Sequence, residues 1–257
     1  MSYRFVPWNI YITNQPTKQT NKQDLGPQVG YQTVFFWEYF GPLVIYPLFL
    51  FFPALFYSAD DIRSASKGDS ANPCLAQKLA CAYWCFHYAK RIYETYYVHT
   101  FSHGSMPIGN LYRNCGYYWS FGAAVSFFLN HPLYTSPNET RVLLGFAAAM
   151  LCQIVNYQSH VTLSKLRGGK GDKTSYKIPK GGLFTYVTCA NYAAEIYGWL
   201  CFNIATQTAM GVVFMLVGGV QMLIWAKMKH KRLRNIFDGK DGREKYPRRW
   251  IVLPPFV

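Results

Sequence analysis

Acidic side chains are scarce in this sequence. Asp and Glu total 12 of 257 residues, against 26 Lys and Arg, and all charged residues together make up 15%. A soluble domain averages about 25%. Disorder is excluded by the opposite excess, because 18% of the chain is aromatic and disordered segments are poor in aromatics. There is no Cys-x-x-Cys, and the seven cysteines are odd in number, so neither a disulfide framework nor a zinc ribbon is expected. No Gly-x-Gly-x-x-Gly follows a strand pattern and no His-Glu-x-x-His occurs, which removes a Rossmann fold and a zincin site. Gly168-Gly-Lys-Gly-Asp-Lys-Thr174 fails as a phosphate loop, since Asp172 interrupts the Gly-Lys-Thr. Six scattered histidines cannot supply the histidine boxes of a di-iron desaturase, and no metal ligand set is assigned. Residues 1–30 contain no apolar run of the kind a cleavable signal needs.

What is present instead is long stretches without charge. Residues 39–59, 114–138, 142–164 and 196–226 contain no Asp, Glu, Lys or Arg. A membrane-spanning helix needs about 20 mainly apolar residues, and four such runs predict an all-α, polytopic membrane helical bundle. Six spans are expected, within a range of five to seven: about 34–57, 75–98, 117–130, 141–163, 191–208 and 210–227. Pro42, Pro47 and Pro53 predict a kinked first span, and the third looks short enough to be tilted or interfacial. Residues 1–33 read as a polar, flexible lead-in, and 34–257 as one membrane-embedded domain ending in a basic tail, 228–257. Residues 165–180 carry six Lys/Arg against one Asp, and 227–249 carry ten against three acids. Two helices separate these segments, so they share a side, and the positive-inside rule makes that side cytoplasmic. The tail has few interleaved aromatics, which ranks nucleic acid low as a partner; membrane lipid is the natural one, through headgroup contact. Asn138-Glu139-Thr140, the one glycosylation sequon, falls on the opposite side, too close to the bilayer to be assigned a function.

Three spans carry polar groups at membrane depth, where each charge costs about 2.5–3.5 kcal/mol. His87, Lys90, Arg91 and Glu94 share one face of the second. They form either a helix end whose bases snorkel to the headgroups or a polar face turned into a protein cavity, with Glu94 pairing Lys90. Tyr88 lies about 200° from Lys90, on the opposite face. Asn156, His160 and Arg167 form a stripe on the fourth span; it is either a polar helix end or a site for an anionic, hydrogen-bonding ligand. The fifth span opens with Asn191, Tyr192 and Glu195, where the carboxylate answers either the helix dipole or a functional site.

These same stretches carry a resemblance. Lys90-Arg91-x-x-Glu94-Thr95-x-x-Val98-His99-x-Phe101-Ser102-His103-Gly-Ser-Met106-Pro107, then Asn110, Asn114-Cys115 and Tyr117-Tyr118-Trp119, resembles the very-long-chain trans-2-enoyl-CoA reductases. So do Glu38-Tyr39-x-Gly41-Pro42-Leu43, Asn191-Tyr192-x-x-Glu195 and Trp225-Ala226-Lys227-x-Lys229-His230. The wider family is the steroid 5α-reductase type of membrane reductase, which 181–187 also resembles. The resemblance implies NADPH-dependent reduction of an α,β-unsaturated thioester, the last step of fatty-acid elongation at the endoplasmic reticulum membrane. The substrate would be a very-long-chain trans-2-enoyl-CoA, the partners other elongation enzymes, and the cofactor site would lie inside the bundle on the cytoplasmic side. Carried across, Tyr192 is the proton donor and Lys90 the group that holds it or lowers its pKa. Tyr88, partnered by Glu38, is the reserve donor. Asn156, His160, Arg167, Tyr176, Asn191, Glu195 and His230 match the cofactor positions. The same fold acting on a steroid or polyprenol-like lipid is the alternative, disfavoured by Tyr192 in place of Phe. Three departures stand out: Ala190 replaces the Pro usual before Asn-Tyr, Leu233 replaces a Tyr that often follows Lys-His, and residues 1–30 leave no room for the ubiquitin-like domain of animal members.

Overall fold

The computed structural model describes residues 26–67, 72–101, 104–166, 176–240 and 242–254. Its elements are β1 (Gln28–Gly30), α1 (Tyr31–Phe51), α2 (Ala59–Lys67), α3 (Leu75–Tyr97), β2 (Ser105–Pro107), α4 (Ile108–Leu129), α5 (Glu139–Leu166), α6 (Ala190–Thr206) and α7 (Ala209–Ile236). β1 falls inside the stretch expected as lead-in. It pairs antiparallel with β2, Val29 opposite Met106. The ribbon therefore starts α1 and α4 at the same end of the molecule.

From there the six long helices alternate in direction. Gln77, at the start of α3, donates to the carbonyls of Leu129 and His131, which lie at the far end with the α6 terminus that Tyr134 Oη caps at Thr206 O. The α5 C-terminus, the α6 N-terminus and the α7 C-terminus all return to the ribbon end. Both basic segments begin at that end too. Three of the helices, α1, α5 and α7, are long and apolar enough to cross a membrane. α6 is shorter, at 17 residues, and α3 carries Lys78, Lys90, Arg91 and Glu94 along its length. Phe51, Leu144, Leu151 and Val220 remain more than half exposed, as lipid-facing side chains of a bundle do.

Two expected boundaries are corrected. The third span is not short: α4 has 22 residues and begins at Ile108. A count of charge-free residues stops at Arg113, yet Arg113 stays exposed, bonded to Asn110 one turn back. The first span ends at Phe51, not 57. Pro53 opens a single 3-10 turn, and Ser58 then starts α2, accepting from the Asp61 amide while its hydroxyl bonds the Asp61 carboxylate. Pro42 and Pro47 do lie within α1. The division near residue 208 also occurs: Gln207 takes a left-handed conformation, φ 49°, between α6 and α7. Asn138 Oδ1 accepts from the Thr140 amide at the start of α5, so the sequon side chain serves as a helix cap.

The core centres on Trp84, which is fully buried against Tyr46, Tyr88, Trp199 and Phe214. Its indole N–H donates to Pro42 O at 3.2 Å, tying α3 to α1. On the other side α5 lies close on α6, because Gly145 faces Ala205; a Cβ at 145 would come 2.8 Å from the Ala205 Cβ. Replacing Gly145 by Leu is expected to cost about 1–3 kcal/mol through overpacking, read as a fall in thermal stability of the detergent-solubilised protein. Gly104→Ala, whose added Cβ would meet nothing within 4 Å, should leave that stability unchanged.

Candidate active site

At the ribbon end, the polar face of α3 turns into the bundle. Lys90 is 9% exposed and Glu94 not at all, so these groups do not snorkel. Lys90 Nζ donates to Asn156 Oδ1 at 2.5 Å and lies 3.4 Å from Glu94 Oε1. Arg91 Nη1 donates to Glu94 Oε2 at 3.0 Å, and its Nη2 donates to Tyr39 Oη at 2.9 Å. His160 Nδ1 is also 3.0 Å from Glu94 Oε2. One carboxylate thus faces two fixed cations and an imidazole. The expected Lys90–Glu94 pair is formed, but it is half of a larger cluster.

The network continues onto α6. Asn156 Nδ2 donates to the Asn191 carbonyl at 2.9 Å and approaches Glu195 Oε2 at 3.5 Å. Glu195 Oε1 sits 3.9 Å from His87 Nε2. His87 Nδ1 meets Gln153, and Gln153 in turn donates to Tyr83 Oη at 2.7 Å. Formal charges balance: Lys90 and Arg91 against Glu94 and Glu195. Buried charges are tolerated when paired and hydrogen-bonded in this way. Two side-chain oxygens of the site are buried with no hydrogen-bond partner among the described residues, Glu94 Oε1 and Asn191 Oδ1. The first faces the Lys90 ammonium at 3.4 Å; the second could accept from a ligand N–H.

Of the residues singled out from sequence, Asn156, His160, Asn191, Glu195 and Lys90 are thereby brought together. Tyr192 is adjacent but separate. Its ring packs beside Trp225, and its hydroxyl makes no hydrogen bond among the described residues. The expected hold of Lys90 on Tyr192 is absent: the ammonium is taken by Asn156 and Glu94. Tyr88, 1% exposed, faces away from Lys90 toward Tyr39 and Tyr118. Glu38 is buried near that cluster but accepts from Asn114 at 2.7 Å, with no bond to Tyr88. His230 lies apart, its Nδ1 2.6 Å from Thr188 Oγ1. Tyr176 stacks under the Arg232 guanidinium, 4.5 Å away. Arg167, His103 and most of the first basic loop lie outside the described residues.

Gln153, Tyr39, Thr188 and Tyr246 were not anticipated. Gln153 had a signal, since it continues the Asn156–His160 stripe one turn earlier. Glu94, His99 and His160 also place three ligand-capable atoms within 4.8 Å of one another. A divalent cation there would meet Lys90 and Arg91 on the same carboxylate, so the electrostatics oppose a metal.

A model of the family described as 3-oxo-5-alpha-steroid 4-dehydrogenase matches residues 104–257. This chain belongs to that family. Within it, the chain is 45% identical over 235 residues to the very-long-chain enoyl-CoA reductase of Dictyostelium discoideum, covering 91% of this chain and 73% of that protein. It is 37% identical to the probable very-long-chain enoyl-CoA reductase of Caenorhabditis elegans, across 91% and 74% of the two chains. It is 40% identical to the putative enoyl-CoA reductase of Trypanosoma brucei, across 86% and 72%.

Glu94 supplies the counter-charge for two buried cations. Glu94→Ala should destabilise the fold by about 3–5 kcal/mol, the cost of leaving a buried charge unpaired. Asp60→Ala, which breaks an exposed pair with Arg63, should change nothing measurable. Denaturation followed by tryptophan fluorescence in detergent compares the two.

Proposed function

We propose that the chain reduces the trans-2 double bond of a very-long-chain enoyl-CoA with NADPH, as the last step of fatty-acid elongation. In this reading all six long helices span the endoplasmic reticulum membrane, and the basic end, with the cofactor site just inside it, faces the cytoplasm. The observation that carries it is the pairing at the start of α6: Asn191 offers a buried acceptor with no partner among the described residues, and the next residue offers a phenol.

The donor set suits a nicotinamide dinucleotide. The orphaned Asn191 oxygen suits a carboxamide N–H, Glu195 suits a hydroxyl or amide donor, and Arg167 with the neighbouring basic loop suits the phosphates. His160, Tyr176 and His230 complete the set. When bound, the reduced cofactor supplies a hydride to C3 of the thioester.

The chain's own residues do the rest. Hydride arrival at C3 moves the π electrons onto the thioester oxygen, as an enolate, and C2 must then take a proton. Tyr192 Oη donates it, and solvent restores the phenol. A phenol is protonated at pH 7 and so has a proton to give. Lys90 acts as a positioning residue: it orients Asn156, which holds the Asn191 carbonyl and with it the turn that carries Tyr192.

A second reading has an observation of its own. The buried Glu38–Asn114 pair lies near Tyr39 and Tyr88, and the family model is described by a steroid reaction. There Tyr88 would donate the proton to a steroid or polyprenol-like enone, with Glu38 nearby. The test is NADPH oxidation by the purified protein with a long-chain trans-2-enoyl-CoA and, separately, a 3-oxo-4-ene steroid. Turnover of the thioester alone is expected; turnover of the steroid alone overturns the reading and moves the donor to Tyr88.

Tyr192→Phe should lower kcat by about a hundredfold or more while NADPH still binds, as measured by quenching of protein fluorescence. Full activity in that variant removes Tyr192 as the donor. Tyr88→Phe should retain most of the activity toward the thioester.

A further inference from the structure

The segment after α7 is folded into the protein. Tight turns at Gly239 and Gly242, with φ 78° and 76°, reverse the chain, so that Asp238 bridges Lys245 and the Tyr246 amide donates to Phe237 O at 2.8 Å. Tyr246 is thereby returned to the end of α7, where it packs with Ile178, Leu233 and Phe237. Arg249 fixes it from outside, donating to Pro179 O at 2.8 Å. Three backbone bonds then zip the following residues to the entry of α6: Trp250 N to Tyr186 O, Thr188 N to Trp250 O and Cys189 N to Ile251 O.

This folding delivers one side-chain chain of donors. Tyr246 Oη donates to Thr188 Oγ1 at 3.0 Å, and Thr188 Oγ1 lies 2.6 Å from His230 Nδ1. Thr188 is fully buried, and its hydroxyl has no other acceptor among the described residues. Its proton is satisfied only if it donates to His230 Nδ1. Nδ1 is then an acceptor, and the proton of the neutral imidazole sits on Nε2, which has no partner among the described residues.

We propose that Tyr246 and Thr188 are positioning residues for His230, holding its imidazole in the Nε2–H form so that it presents one donor to an oxygen of the bound dinucleotide. The proposal rests on the NADPH reading and extends it to the C-terminal segment: the segment completes the cofactor site through His230 without touching the cofactor itself.

The experiment uses the full-length protein in detergent and measures Kd for NADPH by fluorescence quenching, with kcat and KM for a long-chain trans-2-enoyl-CoA. Thr188→Val keeps the shape but removes the hydroxyl. It should raise Kd and KM for NADPH about tenfold, the worth of one hydrogen bond, with kcat and the thioester KM within about twofold. Thr188→Ser should restore the wild-type values, and Tyr246→Phe, which keeps the ring and its packing, should shift Kd in the same direction by a smaller factor. His230→Ala combined with Thr188→Val should be no weaker than His230→Ala alone, because the two act through one group. Additive losses in the double variant, or a Thr188→Ser as poor as Thr188→Val, would overturn the proposal. So would an unchanged Kd in both Thr188→Val and Tyr246→Phe. A wild-type protein that binds no NADPH overturns the cofactor reading itself, and is told apart by needing no variant.

Discussion

Two cations on consecutive residues, about two turns from the end of a helix that packs inside a bundle, set the terms for this structure. Lys90 and Arg91 cannot remain charged there without a counter-ion, and Glu94 answers both. The carboxylate then draws in His160 of α5, and Lys90 draws in Asn156 of the same helix. The spacing of those two α5 residues, one helical turn, matches the spacing of Lys90 and Glu94 on α3, so α3 and α5 are held in one register. Arg91 reaches the other way, to Tyr39 of α1. A purely apolar seam would leave helices free to slide or rotate against one another; a cluster whose members are each satisfied only in one arrangement does not.

The cost of burying these groups explains why they gather at one end. Hydrogen-bond partners must come from several helices at the same depth, and the ribbon of β1 and β2 makes α1 and α4 start level with the ends of α3 and α5. The rest of the bundle can then be aromatic. Trp84, Tyr46, Trp199 and Phe214 fill the middle with ring contacts that ask for little beyond shape and volume. Polar groups and aromatic packing are separated along the helix axis, and His87, between Glu195 and Trp199, sits where the two regions meet.

Much of this was legible from one sequence, for identifiable reasons. Charge-free runs reveal helices that face lipid, so α1, α5 and α7 were plain. They do not mark where a helix starts when an exposed charge interrupts the run, and α4 was truncated at Arg113 on that account. Helical spacing placed His87, Lys90, Arg91 and Glu94 on one face, and Asn156 with His160 on another, because side-chain direction in a helix is a local property. Which faces meet is not local. Nothing in the spacing said that Asn156, not Tyr192, takes the Lys90 ammonium, or that Asn114 takes Glu38. The family resemblance supplied residue identities without their contacts. Tyr246 was invisible by either route, since the turns that bring it back rest on two glycines within a segment that reads as a basic tail.

That tail illustrates how charge can mislead about role. Its lysines and arginines fit a headgroup anchor. Its apolar and aromatic members do something else. Tyr246 and Val252 are buried, and Val252 joins Phe184, Val187 and Ala226 in a cluster that spans the loop before α6, α6 itself and α7. A segment anchored only by charge would leave these side chains in water, at about 1.5–3 kcal/mol for each large one. Their burial fixes the entry to α6, the backbone that carries Asn191 and Tyr192. The geometry of the site therefore depends on residues some fifty positions downstream of it, which meet it only because α6 and α7 form a hairpin that returns the chain to the end where it began.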